Sequence, residues 1–156
     1  MTDPKANGSS GDMHVVLVPE QNMMLTHDVL LTALSRLVAV AGYHGGVNGV
    51  SIHFLRTGLS GIQKGDVFKV GVHDGLEVAA IDYTFEGDHS LHEAVDGKIT
   101  VEDIDHSLPS LRLSFEFHGE FNHEVENFHG SCRVEGLDNS GYEKIKSRFS
   151  KDRREA

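Results

Sequence analysis

Residues 111–117 read Leu-Arg-Leu-Ser-Phe-Glu-Phe, so an apolar side chain falls at every second position. A period of two places Leu111, Leu113, Phe115 and Phe117 on one side of an extended chain and Arg112, Ser114 and Glu116 on the other. A helix would scatter these residues around its circumference, so the pattern demands a strand with one dry and one wet face. Residues 128–135 repeat the period with Phe128, Gly130, Cys132 and Val134. Setting His118 opposite His129 pairs Phe117 with Gly130, Phe115 with Cys132 and Leu113 with Val134, which gathers the apolar residues on one side. On this reading residues 119–127 form the connecting loop.

The same logic extends through the chain. His14 to Val18 is a short β-rich run stopped by Pro19. Residues 21–34 fit either a strand or a short helix capped by Thr26 or Asp28. Leu37 to Tyr43 is almost continuously apolar, as expected of a strand covered on both faces. His44, Gly45 and Gly46 turn the chain into a strand over Gly49–Leu55, with Val50, Ile52 and Phe54 on one face and Ser51 and His53 on the other. Residues 57–65 hold three glycines and no period, as a loop would. Strands follow over Asp66–Val72 and Glu77–Phe85, joined by a hairpin turn at Asp74-Gly75. Residues 87–96 read as a polar loop or edge excursion. A second turn at Asp96-Gly97 leads into a strand over Lys98–Asp105, and Pro109 marks the next connection. Tyr142, Ile145 and Phe149 change to helical spacing, with basic residues around them and at the C-terminal end.

About seven to nine strands with short connections and no βαβ alternation predict an all-β, mainly antiparallel fold. The architecture is a β-sandwich or flattened barrel with a short C-terminal helix. The polar, aperiodic residues 1–12 read as a disordered tail, residues 13–150 as one β-rich domain, and residues 151–156 as a basic tail.

Charge narrows the partners. Residues 141–156 hold six Lys/Arg against three Asp/Glu, whereas residues 1–140 hold eight against 21. An acidic body repels phosphate backbones, so nucleic acid is disfavoured and the acidity serves solubility. The single cysteine, Cys132, allows no internal disulfide. No basic–apolar–small leader pattern opens the chain, which favours the cytoplasm. The longest apolar-rich run, Val29 to Ala41, carries Thr32, Ser35 and Arg36 and falls short of the roughly 20 residues of a transmembrane segment.

The chain has 11 histidines. His118, His123 and His129 cluster in sequence, with Glu120, Glu124 and Glu126 between them. Three imidazoles with carboxylates nearby suit Zn²⁺ with one position open. The competing reading is a solvated hairpin end, since no H-E-x-x-H spacing occurs. His89, His92 and Glu93 would need a helix to share a face. Cys132 falls on the dry face, where a thiol acts as a small hydrophobe rather than a nucleophile. Gly42 to Gly49 joins two strands, whereas a phosphate cradle opens a helix. Glu102, Asp103 and Asp105 lack the spacing of a calcium loop.

The residues Gly97, Ile99, Thr100, Val101, Asp105, Phe115, Phe117, Phe128 and Gly130 form a pattern that resembles small, largely uncharacterised bacterial β-sandwich proteins. Their shared form is G-x-I-T-I with a following Asp, then F-x-F, then a hairpin return centred on Gly. Residues 65–71 (GDVFKVG) are similar to another strand of that group, and the likeness spans residues 36–136. Arg112 and Leu113 replace the Ser-Gly pair usual before F-x-F. The resemblance implies a fold and a bacterial source, and no catalytic residues.

The residues therefore point first to a non-catalytic binding or interaction protein, with an unknown protein or small molecule as ligand. The alternatives are a metal-binding protein or metal-dependent enzyme using the His118, His123 and His129 cluster, and a carrier of small apolar ligands inside a barrel.

Overall fold

The computed structural model describes residues 8–17, 21–44, 48–56, 58–71, 78–85, 88–121 and 124–146. Eleven strands run in chain order: β1 (Ser10–Leu17), β2 (Gln21–Thr26), β3 (Asp28–Ala33), β4 (Val38–His44), β5 (Asn48–Phe54), β6 (Val67–Val70), β7 (Val78–Phe85), β8 (Asp88–Glu93), β9 (Asp96–Asp105), β10 (Ser110–Phe121) and β11 (Glu124–Glu135). A 3₁₀ turn covers Leu59–Gly61. A short helix, α1, covers 141–146. The fold is all-β with one C-terminal helix, as the alternation predicts.

The strands form one mixed sheet in the order β2-β1-β11-β10-β9-β6-β7-β5-β4-β3, with β8 added to the edge of β7. The two ends of that order, β2 and β3, are consecutive in sequence with only His27 between them. The sheet therefore curls until its ends approach, and it becomes a nearly closed barrel. Side chains seal the seam. The Thr26 hydroxyl donates to the Tyr43 carbonyl at 2.5 Å and accepts the Asp28 N–H at 3.0 Å. Ser9 Oγ accepts the Leu31 N–H at 2.9 Å and donates to the Gly136 carbonyl at 2.7 Å. The Leu31 carbonyl in turn accepts the Asp138 N–H at 2.8 Å. Backbone groups that would be orphaned at an open edge are thus paired.

Inside, alternate residues of neighbouring strands meet in rows. Val15, Gly130, Phe115, Ile99 and Phe68 line up across five strands, and Met13, Cys132, Leu113 and Val101 form the next row. Phe117 and Phe128 are directly opposite, their rings stacked at 4.9 Å, and Tyr83 packs on both at 5.3 and 4.9 Å. Each such buried side chain contributes about 1.5–3 kcal/mol relative to exposure.

Outside, the walls differ. Residues 38–43 of β4 are all buried. The outward Ala39, Ala41 and Tyr43, with Leu30 of β3, form an apolar strip on which Ile145 of α1 sits. Asp138 anchors the helix start: its carboxylate accepts the Ser140 N–H and the Ser140 hydroxyl, and binds Lys144 Nζ at 2.7 Å. Burial pushes the Asp138 carboxyl up, but the hydrogen bonds from Lys144 and Ser140 outweigh it and hold it below the usual range.

Of the two readings open for residues 21–34, the strand holds: β2 and β3 lie on either side of His27 and supply both closing edges. Several other expectations are corrected. Ser10–Asp12 belong to β1 rather than to a tail, and Asp12 binds Arg133 of the neighbouring strand at 3.2 Å. For residues 87–96 the edge reading holds rather than the loop: β8 fills the edge of β7 beyond the short β6. Asp96 and Gly97 lie inside β9 and make no turn. Gly97 has φ +146° and presses on the Glu116 carbonyl, where a Cβ would collide. β6 and β7 are parallel, with Lys69 opposite Val78 and Val70 opposite Ala79, so they are no hairpin. The antiparallel partner of β6 is β9. Asp74 and Gly75, like Phe149 and residues 151–156, lie outside the described residues.

The β10–β11 register also differs. Phe121 pairs with Glu124, so the expected loop over 119–127 is mostly strand and the hairpin is tight. Glu116 faces His129, Phe117 faces Phe128 and His118 faces Asn127. The slip is two residues, and a two-residue slip leaves every side chain on its predicted face. Gly130 explains the choice: it sits opposite Phe115, and a Cβ there would strike the Phe115 ring and the His14 carbonyl.

Ser9→Ala should lower unfolding free energy by about 1–2 kcal/mol in urea melts, because the Leu31 N–H loses its acceptor. Glu116→Ala, on the exposed face, should stay within about 0.5 kcal/mol of the parent.

Candidate functional site

The outer face of β9, β10 and β11 is the counterpart of the core. The register that buries Ile99, Phe115 and Phe128 turns Lys98, Glu116 and His129 outward in one row. Thr100, Ser114 and Ser131 form the row beside it, and Asp96, His118 and Asn127 the row on the other side. Two adjoining recesses lie on these rows. One, of about 400 Å³, is lined by Asp96, Lys98, Glu116, His118, Asn127 and His129. The other, of about 310 Å³, is lined by Lys98, Thr100, Ser114, Glu116, His129 and Gly130. Both share Lys98, Glu116 and His129.

The electrostatics of the shared row are loose. Lys98 Nζ lies 3.9 Å from Glu116 Oε1, with both side chains about three-fifths exposed (59% and 61%). Such a pair is worth roughly 0–1 kcal/mol, so either group can turn to another partner at little cost. Ser114 is more constrained, because its hydroxyl donates to Glu102 Oε1 at 2.5 Å. Glu102 is the extra residue of a bulge: Asp103 faces Arg112 and Val101 faces Leu113, leaving Glu102 unopposed.

The structure brings two of the three candidate metal histidines to this face. His118 is half-buried and His129 exposed, and they are diagonal neighbours rather than directly opposed. Diagonal positions on a sheet are about 7–8 Å apart, a separation that two imidazole side chains can bridge to one ion, so the pair by itself supplies at most two ligands. Among the described residues no group of three His, Cys, Asp or Glu side chains is placed to hold a metal ion. His123 lies outside the described residues. β10 runs on to Phe121, about 10 Å beyond His118 at strand rise.

The remaining motifs have structural roles. His92 is buried and stacks on Tyr83 at 5.2 Å in an extended β8, so helical spacing does not link it to His89, whose side chain lies outside the described residues. Asp103, within β9, accepts the N–H of its neighbour Ile104, and Asp105 accepts those of Ser107 and Leu108, as a turn-forming carboxylate does. Gly49 continues into β5 and opens no helix. Cys132 faces Leu113 in the core, not Phe115. Burial, and then the charge of Asp12, push its thiol up to about 12.

One arrangement escapes sequence reasoning. Ser51 Oγ lies 2.6 Å from His53 Nε2, a spacing suited to a nucleophile and its base. Ser51 is completely buried, however, so no substrate reaches it. The signal was present one strand away: a β4 that is apolar on both faces implies that the outward side of its neighbour β5 is covered too.

No known protein family, curated protein or solved structure matches this chain. No helix among the described residues is long and apolar enough to cross a membrane. Fold and site together define a nearly closed all-β barrel with one wall covered by a helix and an opposite wall left polar and open.

The Cys132 thiol should resist a maleimide at pH 8 in the native protein and react within minutes in denaturant, because only the thiolate attacks. Rapid native labelling would place Cys132 outside the core.

Proposed function

We propose that this protein is a non-catalytic binding protein whose ligand sits on the outer face of β9–β11. The observation that carries the reading is the pair of adjoining recesses sharing Lys98, Glu116 and His129. The larger recess falls within the range typical of small-molecule sites, and its lining offers ammonium, carboxylate, imidazole and amide groups. A small polar ligand, or a polar loop of a partner protein, suits such a surface. The two nucleophile candidates argue against chemistry at either position, Cys132 through its raised pKa and Ser51 through its burial.

A metal-binding reading, with Zn²⁺ on His118 and His129 and a third ligand from His123, draws support from the two imidazoles lining one recess. An apolar-ligand carrier is the weakest of the three readings, because rings such as Phe54 and Phe68, in edge contact at 4.8 Å, occupy the barrel interior. The bacterial β-sandwich resemblance remains a proposal about ancestry and adds no ligand.

The test is amide chemical-shift mapping against a panel of polar metabolites and short peptides. Shifts confined to Lys98, Glu116, His118 and His129, and lost in Lys98→Ala/Glu116→Ala, are expected. Shifts centred on another wall, or none across the panel, would sink the reading. Zinc that co-purifies with untagged protein and drops at least tenfold in His118→Ala and His129→Ala would favour the metal-binding alternative; unchanged zinc in both variants would remove it.

A further inference from the structure

The wall opposite the polar face contains a titratable ring that the binding reading does not use. His53 lies on the outward side of β5, hydrogen-bonded to the fully buried Ser51. Across the sheet, His53 faces Ala39 of β4 and Ala80 of β7, and Ser51 faces Ala41 and Asp82. Ala39 and Ala41 are two of the residues on which Ile145 of α1 is seated. The ring is therefore a cross-strand neighbour of the helix seat itself.

We propose that His53 is an acid-operated latch for α1: neutral, it packs into the wall and the helix stays seated; charged, it requires water, and the β4–β5 wall loosens until α1 leaves it. The groups available to offset the charge are few. β4 offers Ala39, Ala41 and, further along the strand, Tyr43, and β7 offers Asp82 diagonally, opposite Glu93 of β8. β3, beyond β4, turns Thr32, Leu30 and, at its start, Asp28 to this side, with Asp28 opposite Tyr43 and four residues along the strand from Thr32. α1 brings Glu143, Lys144 and Lys146, all exposed, with Lys144 bound to Asp138 and Lys146 to Glu143. Two of these three are cations and would oppose a further positive charge. Release of α1 would uncover the apolar strip of Leu30, Ala39, Ala41 and Tyr43.

Burial pushes the His53 imidazole below its usual range. A hydrated histidine takes up its proton near pH 6.5, whereas the packed ring takes it only at lower pH. Between those limits the open state binds more protons than the closed one. Falling pH thus favours opening by up to about tenfold per pH unit, and the effect is absent above about pH 7.5.

Hydrogen exchange from pH 8 to pH 5, corrected for intrinsic rates, tests the latch on the full chain. In the parent, protection of the Lys144, Ile145, Val40 and Ile52 amides should fall by up to about tenfold per unit below pH 6.5. Leu113 and Cys132, in the far wall, should hold their protection. In His53→Gln, which keeps a partner for Ser51 but cannot titrate, the loss at α1 and β4 should vanish. Equal losses in both proteins, or equal losses in both walls of the parent, would overturn the proposal. Should the variant fail to fold, the ¹³C shift of the His53 ring in the parent decides: a ring still neutral at pH 6 supports the latch, and one that titrates like a free histidine refutes it.

Discussion

Phe115 against the bare backbone of Gly130 is the contact on which the barrel's longest hairpin depends. A ring that size on β10 needs room on β11, and only a residue without a Cβ leaves it. Gly130 thereby pins the register, and the register stacks Phe117 on Phe128 one pleat further along. Tyr83 then caps the pair from β7, tying the hairpin to the far side of the sheet. Because these contacts all lie on one face, the alternate polar side chains from Arg112 to His118 on β10 and from Asn127 to Arg133 on β11 are turned outward. The candidate site is in that sense a by-product of core packing: the row Lys98–Glu116–His129 stands together because the row Phe68–Ile99–Phe115–Gly130 stands beneath it.

Much of this was legible from the amino-acid order. Period two is intrinsic to a strand with one buried face, so the facing of Leu111 through Phe117 could be read directly. Pairing was less legible, since hydrophobic alternation is unchanged by a slip of two residues and contains no record of loop length. The tight hairpin at Phe121–Glu124 was missed for that reason: Gly119 and the acidic residues after it look like loop composition, although Gly119 is needed in the strand because the Tyr83 hydroxyl fills the place of a Cβ. Asp96-Gly97 misled in the same way. A glycine chosen for close approach to a neighbouring carbonyl has the same letter as one chosen for a turn.

The candidate site was legible in part. His118 and His129 were placed on the correct face, but their mutual position follows from the register and so shifted with it. Ser51 and His53 were placed on the face opposite Val50, Ile52 and Phe54, which alone does not say whether that face is wet. Alternation reports the inner face faithfully, but what covers the outside depends on elements distant in sequence, here the strip of β3 and β4 on which α1 rests. A polar residue at an outward position is thus exposed on one wall and buried on the other.

That asymmetry separates positions whose identity is set by stability from those that are free to serve a ligand. On the wall beneath α1, Ala39 and Ala41 must be small, since larger side chains would lift Ile145 from its seat. On the wall of β9–β11, Lys98 and Glu116 are mostly in water and their attraction is screened, so folding makes little demand on either. Two charged residues and a histidine that the fold does not require occur in one row over two recesses. Constraint from folding is weakest there, and a selected binding surface can be built there without disturbing the core below it.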